Sequence, residues 1–221
     1  MRRLMFVLIV LAGLAISAAA QVAPADPNRW EPEIQKFEAE DKAKGLVKGG
    51  NVFIGASSIA RWTNLAESFP DRKVVNRGFG GSEMAHAAQY ASRVVVPHAP
   101  RVVVLYSGEN DLNRGVSPQT VFASYKKFYD TVHGALPNTR LVVVSLKPSL
   151  ARWKIRNEMH ETNKMIRTHC AAANNCVYVD VWPPMLGKDG TPKPELFVED
   201  GLHMTPAGYT IWTAILAPHL K

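Results

Sequence analysis

The chain has 221 residues, enough for one domain with a sizeable core. Hydrophobic residues make up 47% and charged residues 20%, a balance that excludes a disordered chain. The formal net charge is +7, but Lys and Arg are scattered and form no aromatic-rich basic stripe, so nucleic acid is not an expected partner.

The first twenty residues stand apart. Arg2 and Arg3 form a positive start, residues 4–16 are an apolar run, and Ala18, Ala19 and Ala20 precede Gln21. This pattern predicts a secretory signal peptide over 1–20, cut after Ala20. A retained membrane anchor is the weaker alternative. The run is short for a span of about 20 residues, and no basic stop-transfer cluster follows it. The product is expected to be periplasmic or secreted, with no stable membrane insertion once the signal is removed. Export permits disulfides, and the two cysteines, Cys170 and Cys176, are expected to pair.

Residues 21–28 read as a Pro- and Ala-rich linker, followed by a charged helix from Trp30 to about Lys44 that Gly45 stops. A single main domain is expected over 49–221. Strands are predicted at 51–54, 73–76, 101–106, 140–146 and 176–181. Runs such as RVVVLY and RLVVVSL lack polar alternation, which suits strands buried on both faces of a parallel sheet. Helices are predicted between them, at about 58–67, 83–96, 118–135 and 154–172. A last one, 205–218, opens on Thr205 and Pro206. Alternating β and α imply a three-layer α/β/α sandwich with about five parallel strands and right-handed crossovers. Ligands of such sheets lie beyond the carboxyl ends of the strands.

Chemistry-bearing residues gather after those strands. Gly55-Ala56-Ser57-Ser58 follows the first, Asn76-Arg77-Gly78-Phe79-Gly80-Gly81-Ser82 the second, and Ser107-Gly108-Glu109-Asn110-Asp111 the third. Asp200-Gly201-Leu202-His203 precedes the last helix. Ester hydrolysis needs a nucleophile, a base, a group orienting the base, and donors for the oxyanion. Ser57 at a strand-to-helix junction can be the nucleophile. Asp200 and His203, three residues apart, can be the orienting acid and the base. The Ser57 and Gly81 backbone N–H groups and the Asn110 side-chain amide can form the oxyanion hole. Singly, each has a bland reading: a helix cap, surface residues, a tight turn, an Asx-turn.

Together the four blocks resemble the SGNH/GDSL hydrolases, named for Ser, Gly, Asn and His, here matched by Ser57, Gly81, Asn110 and His203 from about residue 50 onward. The resemblance implies a flavodoxin-like sandwich and acyl-ester hydrolysis through Ser57, His203 and Asp200 without a cofactor or metal. Two departures stand out. Ala56 replaces the Asp usual in the first block, and the adjacent Ser58 competes with Ser57 for the register. Glu109 occupies a position where a small polar residue is common; it is expected to point away from the pocket or to pair with a base.

Seven histidines raise a metal reading, but no His-Glu-x-x-His or Cys-x-x-Cys is present. The Gly-x-Ser-x-Gly of α/β-hydrolases fails at Met84. Trp62, Arg152 and Trp153 are candidate substrate contacts, with a surface loop whose Trp packs on the following helix as the alternative for each Trp. Asn163, mid-helix, is expected to face solvent. The substrate expected is a small ester or acylated glycan, most plainly an acetyl ester. Longer-chain lysophospholipase or thioesterase activity and a non-catalytic carbohydrate-binding module are the alternatives.

Overall fold

The computed structural model describes residues 26 and 28–220; the expected signal peptide and its cleavage point lie outside them. Five strands form one parallel sheet: β1 (Asn51–Gly55), β2 (Val74–Gly78), β3 (Val102–Tyr106), β4 (Arg140–Val144) and β5 (Cys176–Val179). Their order is β2-β1-β3-β4-β5. This is the flavodoxin-like order, with its switch point between β1 and β3. β1 and β3 are buried along their whole length, as their unbroken apolar sequence requires.

One helical layer holds α4 (Met84–Val94), α6 (Pro118–Ala135) and α7 (Arg156–Ala172), packed side by side. The N-terminal helix α1 (Glu31–Lys44) lies on α4 and buries Ile34 and Phe37. Ion pairs hold it there: Arg93 reaches Glu31 at 2.7 Å and Glu38 at 2.8 Å, and Arg77 reaches Asp41 at 2.5 Å. The opposite layer holds α2 (Ser57–Ala60), α3 (Leu65–Ser68) and α8 (Pro206–Leu216), meeting around Trp62, Tyr209 and Trp212. Thr205 caps α8 through the Gly208 N–H, with Pro206 in the first turn, as its sequence predicted.

The helix expected over 58–67 is broken into α2 and α3, and Trp62 falls in the break. This corrects its reading as a substrate contact. Trp62 is 1% exposed, its ring meets Phe53, Phe69, Tyr209 and Trp212, and its N–H donates to Ser68 Oγ at 3.0 Å. Truncating a buried aromatic costs about 3–5 kcal/mol, so packing alone accounts for the residue. Asn163 is the second correction. It is buried, accepting from Leu146 N at 2.8 Å and donating to Leu146 O at 3.1 Å. Just past β4 the chain leaves the ladder, and its backbone groups need partners that solvent does not reach. Cys170 and Cys176 form the expected disulfide, tying the end of α7 to the start of β5. Among the described residues, no helix is long and apolar enough to cross a membrane.

Candidate active site

The carboxyl ends of β1, β2 and β3 converge on one cleft. β1 ends at Gly55, with φ +149°, where a Cβ would sit 1.8 Å from the Tyr106 carbonyl oxygen. Only glycine lets β1 lie this close to the end of β3. The chain then turns at Ala56 into α2, which places Ser57 in the first helical turn. Among the described residues the Ser57 N–H has no acceptor, as expected at a helix start.

His203 Nε2 lies 3.0 Å from Ser57 Oγ, although 146 residues separate them. Its Nδ1 lies 2.5 Å from Asp200 Oδ2. The other Asp200 oxygen accepts the Leu202 and His203 N–H groups at 2.8 and 2.9 Å. Desolvation works to raise the Asp200 pKa, but the His203 ring and the two backbone donors together outweigh it, holding the carboxyl well below its usual range. A charged acceptor thus fixes the imidazole with Nδ1 protonated and Nε2 turned to Ser57.

Ser58 is placed differently. It is buried, and its carbonyl accepts the Tyr209 hydroxyl at 3.0 Å. The geometry therefore puts Ser57, not Ser58, against the imidazole.

The loop after β2 runs beside Ser57: a Cβ on Gly80 would be 4.0 Å from Ser57 Cβ. Gly81 has φ +77°, and a side chain there would point at the Trp30 ring, 3.5 Å away. Trp30, just before α1, covers the outside of this loop and packs against Phe79 and His86. Sequence reasoning missed Trp30, because only the docking of α1 on α4 brings it there. The Gly81 N–H has no acceptor among the described residues. Asn110 opens α5 (Glu109–Asn113), a short helix not expected from the sequence, and donates one amide hydrogen to Ser82 O at 3.0 Å. Its second amide hydrogen has no acceptor among the described residues.

α5 is tied to the same loop twice more. The Asp111 carboxyl accepts Met84 N at 3.1 Å, and Arg114 pairs with Glu83 at 2.5 Å. Burial, opposed by the Met84 N–H and reinforced by Glu83, pushes the Asp111 carboxyl up to about 7. A carboxyl raised this way binds its proton more tightly in the folded chain. Its contribution to stability is present at low pH and is lost as pH rises through about 7. Asp111→Asn should therefore gain in melting temperature relative to wild type between about pH 4 and pH 8. Parallel melting curves across that range would refute the assignment.

Arg152 and Trp153 lie in a 3-10 turn, Leu150–Ile155, that touches the Asp200 loop through Ala151 N to Gly201 O at 3.0 Å. Among the described residues, the buried Arg152 Nε has no hydrogen-bond partner. Trp153 stacks on Trp182 at 6.1 Å and lies under Arg156, so the packing alternative accounts for it. Glu109 pairs with Lys147, as one of its two expected placements required.

Comparison with known proteins agrees with this architecture. A Streptococcus pneumonia structure, named as a provisional platelet activating factor, superposes with TM-score 0.76 at 20% identity, over 85% of this chain and 91% of that one. A GDSL-like lipase from Bacteroides thetaiotaomicron gives 0.68 at 19% identity, over 84% and 96%. An acetyl-xylooligosaccharide esterase variant from Geobacillus gives 0.62 at 15%, over 78% and 94%. At such identities the likeness is one of fold. No curated protein matches the chain in sequence. Residues 49–211 match the model of the GDSL-like lipase/acylhydrolase family, a span reaching from β1 into α8, and the chain belongs to that family.

Proposed function

We propose that this chain is an exported serine esterase that removes small acyl groups, acetyl above all, from glycan-type esters. The observation that carries the reading is the His203 ring, within hydrogen-bond reach of Ser57 Oγ on one side and Asp200 on the other. In the proposed cycle, His203 Nε2 takes the Ser57 hydroxyl proton as Oγ attacks the ester carbonyl. The oxyanion is received by the Ser57 and Gly81 N–H groups and the second Asn110 amide hydrogen. The C–O bond to the alcohol breaks and His203 returns the proton to the leaving oxygen. Water, deprotonated by His203, then attacks the acyl-Ser57 ester, and the acid leaves as the bond to Ser57 Oγ breaks and His203 returns the proton to that oxygen. Arg152, beside the Asp200 loop with an Nε unpartnered among the described residues, is the proposed substrate contact.

Support for a small acyl group comes from the acetyl-xylooligosaccharide esterase among the similar folds. Export rests on the sequence of residues 1–20. The test is a panel of p-nitrophenyl esters of rising chain length together with acetylated xylooligosaccharides, alongside labelling by a fluorophosphonate. Acetyl esters should be cleaved fastest and Ser57 should carry the label. A preference for long acyl chains would overturn the substrate class; a folded protein that neither turns over nor labels would overturn the esterase reading itself.

A further inference from the structure

We propose that Tyr106, Glu109 and Lys147 form a buried positioning network that holds the Ser57 nucleophile and the Asn110 oxyanion donor in one frame. The proposal rests on the esterase reading above. The three residues come from three segments at the carboxyl edge of the sheet. Tyr106 ends β3, Glu109 precedes Asn110 in α5, and Lys147 lies beyond β4. All are shut away from water: Lys147 is 0%, Tyr106 2%, and Glu109 7% exposed.

Their hydrogen bonds form a continuous chain. Lys147 Nζ donates to both Glu109 oxygens, at 3.2 and 3.0 Å. The Tyr106 hydroxyl donates to Glu109 Oε2. Lys147 Nζ also reaches the Tyr106 hydroxyl oxygen at 3.4 Å, and the Tyr106 backbone carbonyl accepts the Ala56 N–H at 3.1 Å. Burial keeps the phenol far above its usual pKa, so it remains a neutral donor beside the carboxylate. One end of the chain is thus bonded to the residue before the nucleophile, the other to the residue before the oxyanion donor.

Stability does not explain why charges stand here. A buried ion pair is expensive to desolvate, and an apolar pair of the same volume is often as stable. The Lys147 and Glu109 charges also cancel, so they add little field at the oxyanion. What the network does supply is direction. Glu109 is fixed by three hydrogen bonds from two groups, Tyr106 and Lys147, whose positions are set by β3 and β4, the rigid part of the molecule. Asn110 is thereby held from the sheet side, while Ser82, Met84 and Glu83 hold α5 from the loop side. A shift of about 1 Å in such a donor can cost on the order of 100-fold in rate.

Two variants test this: Tyr106→Phe, which keeps the ring and the ion pair, and Glu109→Gln with Lys147→Met, which removes both charges together. Steady-state hydrolysis of p-nitrophenyl acetate is read with circular dichroism and melting temperature. The expected result is a folded protein whose kcat falls about 10- to 100-fold while KM stays within about twofold. A purely structural role would lower the melting temperature and leave kcat of the folded enzyme unchanged. Folded variants with wild-type kcat would therefore overturn the proposal. So would failure of both to fold, which would make the network a folding element. Ser57→Ala separates the two levels: if it stays active, the esterase reading fails, whereas an inactive Ser57→Ala beside fully active network variants removes the network alone.

Discussion

Ser57→Ala is expected to lower kcat for ester hydrolysis by about 10⁶-fold, with KM little changed and fluorophosphonate labelling lost. The size follows from the absence of a substitute. Ser57 Oγ is the hydroxyl at 3.0 Å from His203 Nε2. Its neighbour Ser58 is 2% exposed, with its carbonyl bonded to the Tyr209 hydroxyl. Turning Ser58 into the cleft would break that bond and unwind α2. The residual rate should be that of water activated by His203 in the remaining oxyanion site. The variant should fold, because Ser57 is only half-buried and loses a single oxygen. A variant that keeps more than about a hundredth of the wild-type kcat would exclude Ser57 as nucleophile.

The same two serines illustrate how far the residues alone carry the molecule. The sheet was legible because buried parallel strands announce themselves as unbroken Val- and Leu-rich runs, as at Val102–Tyr106. The cleft was legible because strand order fixes which loops meet, and four short blocks fall in those loops. The choice between Ser57 and Ser58 was harder, since one residue of register in a helix turns a side chain by about 100°; in the structure the Ser57 hydroxyl faces the imidazole, while Ser58 is buried. Trp62 was misread for a related reason. Its distance from Ser57 suits one face of a long helix, but α2 ends after four residues, and the chain then turns the indole inward beneath Phe53 and Trp212. Asn163 sits mid-helix, where a polar residue suggests solvent, yet it serves the backbone of Leu146 across the layer boundary. Trp30 over Gly81 and Lys147 under Glu109 are contacts between distant segments, and only the packing of α1 on α4 and of β4 on β3 produces them. Glu109 did offer a clue: a carboxylate in so apolar a neighbourhood demands a base, and Lys147 stands just beyond the next buried strand.

Asp200→Asn is expected to lower kcat on the order of 10⁴-fold while leaving the fold intact. The fold survives because an amide oxygen at position 200 can still accept the Leu202 and His203 N–H groups, now held at 2.8 and 2.9 Å. The chemistry does not survive, because the atom facing His203 Nδ1 changes sign. The wild-type Oδ2, at 2.5 Å, accepts the Nδ1 proton and leaves Nε2 free to take the proton of Ser57. An amide NH₂ in that place would donate, forcing the ring proton onto Nε2. The base would then present a hydrogen to a hydroxyl that needs an acceptor, and the imidazolium formed on attack would have no carboxylate beside it. Asp200 is 44% exposed on its side chain, so water can partly replace its charge, but water cannot dictate the tautomer. NMR of the His203 ring nitrogens should therefore report protonated Nδ1 in wild type and protonated Nε2 in Asp200→Asn, in step with the loss of kcat. A wild-type rate with the tautomer reversed would remove His203 as the base. An unchanged tautomer with lost rate would move the role of Asp200 from orientation to charge alone.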